Sequence, residues 1–459
     1  VLADTANESA YLGVGVADAI TTRLANAPRI AVRPTSAVLP FKDAQSDPAR
    51  IASALGVDHL LLGSIQPTAD NYRVTLQLVD RGGVVVWGHT FDEPLSSLPQ
   101  LQDRVAQQVA EVLRVELGGA QNAHARYSGN LAAYDLYLRG RSLLVNYTEA
   151  NMREAISYFE RALAIDPDNA LARTGIATAC AWFSVRYAHE PQAVAWARRA
   201  DEEARRALAQ DASLAEAHFA IASAAGTTYG GFNWTVVLER TATALRLDPS
   251  LDLAHLARMR AFYHLGLFDD MRREGRLARA LNPSPNVEHD RLEIVAQLVE
   301  GQYAAAAARA EALLPRTDAP AIRHYLGLAR FYKGDADGAR AMLASVRREG
   351  RPDIRALASL ASIEAAVGMS TEARAHIDDV LRSAEMDHHV AYSLGAALAQ
   401  LGDLPGSLTW LERAANTGFP CSPWFERDAL LDPLRREPGF ASLMARLRAV
   451  TDDVRRQSR

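Results

Sequence analysis

The hydrophobic pattern of the C-terminal three-quarters of the chain repeats with a period of roughly 34 residues. Each period shows an amphipathic helix, a turn containing glycine and a second amphipathic helix. The turns hold Gly266, Gly301, Gly334, Gly368 and Gly402, which follow one another at this nearly constant interval. Pro249 and Pro283 are separated by the same interval. A fixed period of this length predicts helix pairs that bury their apolar faces against neighbouring pairs.

The clearest unit is the segment NMREAISYFERALAIDPDNA at 151–170. Ala155, Phe159, Ala162 and Pro167 follow one another at intervals of four, three and five residues. Small residues at a close helix crossing, an aromatic wedge and a terminating proline make this segment resemble the second helix of a tetratricopeptide (TPR) repeat. We therefore predict a mainly α fold, a right-handed TPR α-solenoid of about eight helix pairs at 131–418. The second pair is longer, with extra residues around 185–194, and a cap segment at 419–459 has its last helix from about Glu437.

Residues 1–118 show a different pattern. Helical periodicity at 15–27, 47–55 and 98–117 alternates with short strand patterns at 29–33, 59–65, 72–80 and 84–91. Asp80-Arg81-Gly82-Gly83 is a hairpin turn signal between the last two strands. Helix signals around the second helix are Ser46 or Asp47 as its N-cap and Gly56 past its end. This order predicts a small mixed α/β domain at 1–118, joined to the repeats by a linker at 119–130.

The segments YLGVGVADAITTRLANAPRIAVRPTSAV and IASALGVDHLLLGSIQPTADNYRVTLQLVD resemble the TolB amino-terminal-like (FlgO-like) domain. That domain precedes a TPR array in CadC-like winged-helix transmembrane regulators and in related kinases and cyclases. The family domain opens with a strand of the type AVLPF, so the resemblance predicts that this chain lacks the first strand. It also implies a sensor region in the periplasmic or extracytoplasmic part of a membrane-anchored bacterial protein. A cytoplasmic location is the alternative.

Composition narrows the functional classes. The chain has 50 basic and 55 acidic residues, a net charge of −5, so no basic field favours nucleic acid. The sequence contains no run of 18 apolar residues, so we predict that this segment does not insert into a membrane. Phosphate-loop, nucleophile-elbow and zinc-protease motifs are absent from the sequence, and Gly13-x-Gly15 is better explained as a helix start. We predict no catalytic residues, no cofactor and no metal. Adjacent His388 and His389 are expected to diverge at a helix start.

Side chains suited to binding occur on the first helix of several pairs. Counted back from the helix-ending glycines, the groove candidates are Arg141, Arg260, Tyr263, His264, His324, Phe331, Tyr332, Arg355, His389 and Tyr392. Arginine, tyrosine and histidine suit carboxylates and extended peptides. We predict a non-catalytic scaffold that binds a protein or peptide on the concave TPR face, as the sensor or interaction region of a bacterial signalling receptor or transcriptional regulator.

Three alternatives to this scaffold stay open. A small-molecule sensor would hold its ligand in a closed apolar pocket of the α/β domain or at the domain junction. A free-standing TPR adaptor would act within a larger assembly. An enzyme would need titratable groups clustered in one cleft. Within the scaffold hypothesis, we expect the α/β domain to dock onto the TPR array or to mediate self-association.

Overall fold

The structure is a computed structural model that describes residues 2–4, 10–25, 30–42, 47–68, 71–113, 130–145, 148–187, 192–284, 286–317, 319–348, 350–383 and 386–457. These residues divide into two compact units. The first unit comprises 1–229, 236–255 and 276–284, and the second comprises 230–235, 256–275 and 285–459. In the described part of the chain, no helix is long and apolar enough to cross a membrane.

A four-stranded sheet forms the β part of the first unit. Its strands, in spatial order, are β1 (Leu2–Asp4), β2 (His59–Pro67), β3 (Tyr72–Asp80) and β4 (Val85–Glu93). β1 is parallel to β2, and the other neighbours are antiparallel. Along β3, Val74, Leu76 and Leu78 are buried at alternate positions. The three long strands and the hairpin turn are therefore confirmed, with Gly83 at a φ of 85°.

Four helices accompany the sheet: α1 (Ala10–Ala25), α2 (Thr35–Val38), α3 (Pro48–Leu55) and α4 (Leu98–Val112). The predicted caps of α3 are confirmed, because Asp47 accepts a bond from the Ala49 amide and Gly56 has a φ of 61°. Only residues 114–117 of the predicted α4 lie outside the described chain.

Two strand predictions are wrong. The described residues 30–33 of the predicted strand at 29–33 form no strand, since β1 already occupies the sheet edge beside β2. Ile30 and Val32 instead pack, half-buried, against the core of this part. The first strand, predicted to be missing, is supplied by β1. Three residues are too few to show the alternation that marks a strand.

Sixteen helices in the described part of the chain form the eight predicted pairs, so the fold class is confirmed. The pairs are α5 (Leu131–Leu144) with α6 (Glu149–Ile165), α7 (Ala170–Trp182) with α8 (Gln192–Gln210), α9 (Ala215–Ala225) with α10 (Trp234–Leu247), α11 (Asp252–His264) with α12 (Phe268–Leu281), α13 (Val287–Val299) with α14 (Tyr303–Leu313), α15 (Pro320–Tyr332) with α16 (Ala336–Ser345), α17 (Ile354–Ala366) with α18 (Ser370–Leu381), and α19 (His388–Gln400) with α20 (Leu404–Asn416). A π-helical turn at Phe183–Tyr187 begins the extra length predicted in the second pair. Short strands β5 (Arg347–Arg348) and β6 (Arg351–Pro352) join α16 to α17.

The five periodic glycines end their helices in the same way. Their φ angles are 73°, 78°, 93°, 83° and 83° in chain order, the left-handed region that glycine adopts without a steric penalty. In each case the residue after the glycine donates its amide to a carbonyl five residues back, as Gln302 does to Gln297 at 2.8 Å. This bond satisfies a carbonyl that the helix end leaves unpaired. The roughly 34-residue period of the sequence therefore reflects a helix C-terminus of the same geometry in each repeat.

In the first unit, the α/β part and the first helix pair share one core. α1 crosses α5 at Gly15, where an added Cβ would lie 2.8 Å from the Leu138 side chain. Tyr134 and Leu138 of α5 belong to the same buried cluster as Val16 of α1. Most of the linker predicted at 119–130 lies outside the described residues, and the domain boundary drawn there stays a prediction.

The C-terminal cap is made of α21 (Ser422–Arg427), a 3₁₀ turn at Ala429–Leu434 and α22 (Pro438–Gln457), which confirms the predicted last helix. Its contacts reach far beyond the last pair. The Thr451 hydroxyl donates to the Leu265 carbonyl at 3.1 Å, and Arg427 donates to the Val299 carbonyl at 3.2 Å. The cap therefore packs against helices that precede it by well over a hundred residues.

Candidate binding site

Three histidines from distant parts of the sequence meet in the second unit. His264 ends α11, and His388 and His389 begin α19. The ring centroids of His388 and His389 are 4.3 Å apart, and His264 is 5.1 Å from the first and 5.5 Å from the second. We call these residues the histidine cluster. The expectation that His388 and His389 diverge is wrong, because both rings turn towards the end of α11.

Aromatic side chains enclose the cluster. Trp234 stacks on His264 at 4.4 Å, and its indole N–H donates to the Gly418 carbonyl at 2.8 Å. Phe232 meets His388 edge-on at 4.4 Å, and Phe419 lies 4.9 Å from His389. His264 and His388 are 5% and 2% exposed. Trp234 is itself 5% exposed, so its ring belongs to the buried surroundings of the cluster.

Backbone carbonyls fix the tautomers of two of these rings. The Nδ1 atom of His264 lies 2.8 Å from the Arg260 carbonyl, and that of His388 lies 3.2 Å from the Thr417 carbonyl. A carbonyl only accepts, so each Nδ1 carries the proton and each Nε2 carries the lone pair. The buried Nε2 of His388 has no hydrogen-bond partner.

Burial and neighbouring positive charge keep the cluster neutral near pH 7. Burial lowers the pKa of His388 to about 4. Burial, and then the neighbouring His388, also hold the pKa values of His264 and His389 well below the usual range. Neutral imidazoles can accept hydrogen bonds or ligate a metal, whereas imidazolium ions cannot.

Three arginines lie within electrostatic reach of the cluster, and we call Arg260, Arg291 and Arg355 the arginine group. Arg291 donates to both carboxylate oxygens of Glu288, at 2.6 and 2.8 Å. Arg355 pairs with Asp387. Burial tends to raise the pKa of Asp387, but the charge of Arg355 opposes it and the pKa falls to about 2.

Arg260 is the unsatisfied member of this group. Its Nε is buried without a hydrogen-bond partner, and burial lowers its pKa. The charge of Glu288 acts on Arg260, but both oxygens of that carboxylate accept hydrogen bonds from Arg291. An incoming carboxylate or phosphate would supply the missing acceptor, because guanidinium binds such groups in bidentate geometry.

The structure brings most of the predicted groove residues together in the second unit. Tyr263, His264, His324 and Tyr392 are buried, Arg260, Phe331, Tyr332 and His389 are half-buried, and Arg355 is exposed. Arg141 lies instead in the first unit, buried between Asp18 and Glu216, to which it donates at 3.0 and 2.6 Å. The role of these side chains in binding a partner stays a prediction.

Part of this predicted groove is covered by the chain itself. The Tyr332 and Tyr392 hydroxyls both donate to the carboxylate of Asp428, at 2.8 and 2.7 Å. Phe419 and Phe425 pack on Tyr392 at 5.6 and 4.9 Å. The start of the C-terminal cap therefore occupies the tyrosines, while Arg260 keeps an unpaired donor.

Two residues of the site were missed by the sequence reasoning. The sequence predicts that His388 diverges from His389, since nothing in it places His388 beside His264. Arg291 carried a usable signal: it stands ten residues before Gly301, as His324 does before Gly334 and Tyr392 before Gly402.

Comparison with known proteins finds one similar curated sequence and one partial structural alignment among those described below. No protein-family model matches the chain. A curated relative from Rhizobium meliloti (strain 1021), described as "Putative adenylate cyclase 3", is 27% identical over 172 residues, which is 37% of this chain and 29% of that protein. The chain thus spans less than a third of that relative. Among solved structures, a tetratricopeptide repeat protein from Parabacteroides merdae aligns over 70% of this chain and 99% of its own, with 11% identity and a TM-score of 0.34.

Proposed function

We propose that this chain is a non-catalytic binding scaffold whose second unit holds a carboxylate-bearing peptide segment of a partner protein. The observation that carries the proposal is Arg260, whose buried Nε has no acceptor. Burying a guanidinium donor without an acceptor costs free energy, so an anionic ligand gains affinity by supplying one. The helix pairs supply rigid supports for such a site, and TPR-type arrays suit interaction with proteins.

The chain's own contacts support a peptide as the ligand class. Asp428 already shows that tyrosines on α15 and α19 can hold a carboxylate, through two hydrogen bonds of 2.7–2.8 Å. The neighbouring arginines and neutral histidines add donors and acceptors for backbone amides.

A microarray of hexapeptides tests this proposal. One set has free carboxyl termini, a second has amidated termini with an internal Asp or Glu, and a third is amidated and uncharged. We expect the chain to bind members of the first two sets and none of the third. Arg260→Gln should weaken that binding at least tenfold. Arg374→Gln on the exposed face of α18 is the matched control and should bind as the unmodified chain does. Carboxylate-independent binding, or full binding by Arg260→Gln, would sink the proposal.

A small-molecule sensor is the second candidate, and the enclosure of the histidine cluster by Trp234, Phe232 and Phe419 favours it. Acetate, succinate and glutarate distinguish the two candidates in a calorimetric titration. A dicarboxylate that binds as tightly as the best hexapeptide would favour the sensor. A peptide at least a hundredfold tighter would favour the scaffold.

We also propose that the scaffold belongs to a bacterial signalling protein, as its TolB-like, extracytoplasmic sensor region. The resemblance of 1–118 to the TolB amino-terminal-like domain supports this, and so does a curated relative named as an adenylate cyclase. Protease treatment of intact spheroplasts tests the location. Cleavage of the native protein within this region before lysis is expected, and protection until lysis would favour the cytoplasmic alternative.

A further inference from the structure

We propose that His264, His388 and His389 form a binding site for a divalent transition-metal ion of the zinc class. In the described part of the chain, each of the three histidines offers one ligand nitrogen, and these atoms all lie within 4.8 Å of one another. Two of the residues are adjacent in sequence and the third comes from a helix far earlier in the chain, so only the fold assembles the group.

The hydrogen bonds around the rings are those of metal-ligating histidines. Such a histidine donates its second ring N–H to a carbonyl or carboxylate, which orients the ring and leaves the other nitrogen to the metal. The Arg260 and Thr417 carbonyls accept from His264 and His388 in this way. The remaining nitrogen of His388 is buried, at a residue only 2% exposed, and has no partner of its own. Burying such an acceptor is unfavourable unless something binds it.

The ligand nitrogens, which lie within 4.8 Å of one another, need to move only slightly closer together to bind one ion. Zinc binds histidine nitrogen at about 2.0–2.1 Å in tetrahedral geometry, which places ligand atoms about 3.4 Å from one another. Rotation of the rings about their side-chain bonds would close the rest of the distance.

Charge at the site decides what else the ion would bind. The arginine group faces the cluster with three positive charges, against Glu288 and Asp387. A bare divalent cation is disfavoured by that field, whereas an ion that carries hydroxide or another anion as its fourth ligand is disfavoured less. Three protein ligands with an open fourth position are typical of sites that bind an exchangeable ligand.

The test uses the purified chain, stripped with a chelator and titrated with metal alone. With cobalt(II) as a probe, we expect one equivalent to bind and to give the visible absorption band of a four-coordinate ion. Zinc should displace the cobalt. X-ray absorption of the zinc form should show three imidazole ligands, a measurement that needs no variant. Absence of the band, or fewer than three imidazoles, would overturn the site.

Variants add a second arm. His389→Gln changes the half-buried member of the cluster and should weaken cobalt binding at least a hundredfold, with an unchanged circular dichroism spectrum. His376→Gln is the matched control, because His376 lies in the same unit, pairs with Glu364 and is not one of the three grouped histidines. Equal loss in both variants, or none in His389→Gln, would place the metal elsewhere. The titration contains no peptide, so its outcome is independent of the proposed peptide binding.

Discussion

Arg141 in the first unit and Arg260 in the second are both predicted groove residues, but their surroundings differ. Arg141 is surrounded by acids: Asp18 and Glu216 accept its hydrogen bonds, and both carboxylates also act on Asp248. Arg260 feels one carboxylate, Glu288, and one cation, Arg291, and its Nε has no acceptor. The same residue type at similar places in a repeat is thus a structural ion pair in one unit and an open donor in the other.

This difference shows that the repeat pattern determines where a side chain lies in its helix pair but not whether it forms an ion pair or remains available to a ligand. The role depends on what faces it. For Arg141, α1 of the α/β part supplies Asp18. For Arg260, the neighbouring carboxylate Glu288 is already paired with Arg291. Four predictions test or extend the contrast, beginning with the largest expected effect.

Arg141→Met should lower the free energy of unfolding by roughly 3 kcal/mol, because it leaves two largely buried carboxylates without their partner. Asp18 and Glu216 side chains are 14% and 26% exposed, so solvation of the freed acids limits the loss. Guanidinium unfolding measures the effect. The triple variant Arg141→Met, Asp18→Asn, Glu216→Gln should recover most of it. A loss under about 0.5 kcal/mol, which is typical of a surface substitution, would contradict a structural role.

Asp248→Asn tests the acidic excess of the same region. Burial, with added charge from Glu216 and Asp18, raises the pKa of Asp248 to about 6 from 3.8. The folded chain therefore holds this proton more tightly than the unfolded chain. The stabilisation is complete below about pH 4, is lost as the pH rises to about 6, and stays lost above that.

We accordingly expect Asp248→Asn to be more stable than the unmodified chain by about 3 kcal/mol at pH 7 and to lose that advantage at pH 4. Thermal unfolding at several pH values measures it. Asp452→Asn, at an exposed position of α22, is the control and should show no such trend. An advantage independent of pH would show that Asp248 does not titrate as described.

Glycines at helix crossings extend the comparison to packing. Phe159 is held between Gly140 and Gly175, where an added Cβ would lie 2.5 Å from its ring on either side. In the second unit, Gly327 faces the Leu343 side chain at 2.7 Å. A leucine can change rotamer, whereas a ring held on both sides cannot move. Gly140→Ala should therefore cost roughly 1–2 kcal/mol and Gly327→Ala less than about 1. Similar losses in the two thermal scans would remove the distinction.

Arg260→Met has the smallest expected effect and the opposite sign to Arg141→Met. Replacing an unsatisfied buried donor with an apolar side chain of similar length should raise the free energy of unfolding by about 1 kcal/mol. Guanidinium unfolding without added ligand measures it. A loss of stability as large as that of Arg141→Met would show that Arg260 has a structural partner in solution.

The repeat array could be predicted from the sequence because its signals are local and periodic. Helix-ending glycines and apolar spacing each act within one helix pair, and Gly301 or Gly334 marks its turn whatever surrounds it. The strands of the hairpin could also be predicted, since apolar Val74, Leu76 and Leu78 stand at every second position of β3. β1 could not be predicted, because three residues are too few to show such an alternation.

The site was less predictable for a physical reason. Its members come from helices that are far apart in sequence, and no period relates His264 to His388. Register alone placed Arg260, His324 and Arg355 in the same unit, and it could have added Arg291. It could not show that Asp428 takes the hydroxyls of Tyr332 and Tyr392, because the cap lies outside the repeat.

The long contacts of the C-terminal cap fix the copy number of repeats in the second unit. In an array whose repeats contact only their neighbours, a duplicated or deleted repeat leaves the others undisturbed. Here the cap must reach the Leu265 and Val299 carbonyls and the hydroxyl of Tyr332 together. One additional pair between α11 and α19 would pull those anchoring points out of reach. Duplication of a repeat between α11 and α19 would thus give a protein whose cap cannot pack correctly. Changes in the number of helix pairs should therefore be confined to the pairs that precede α11.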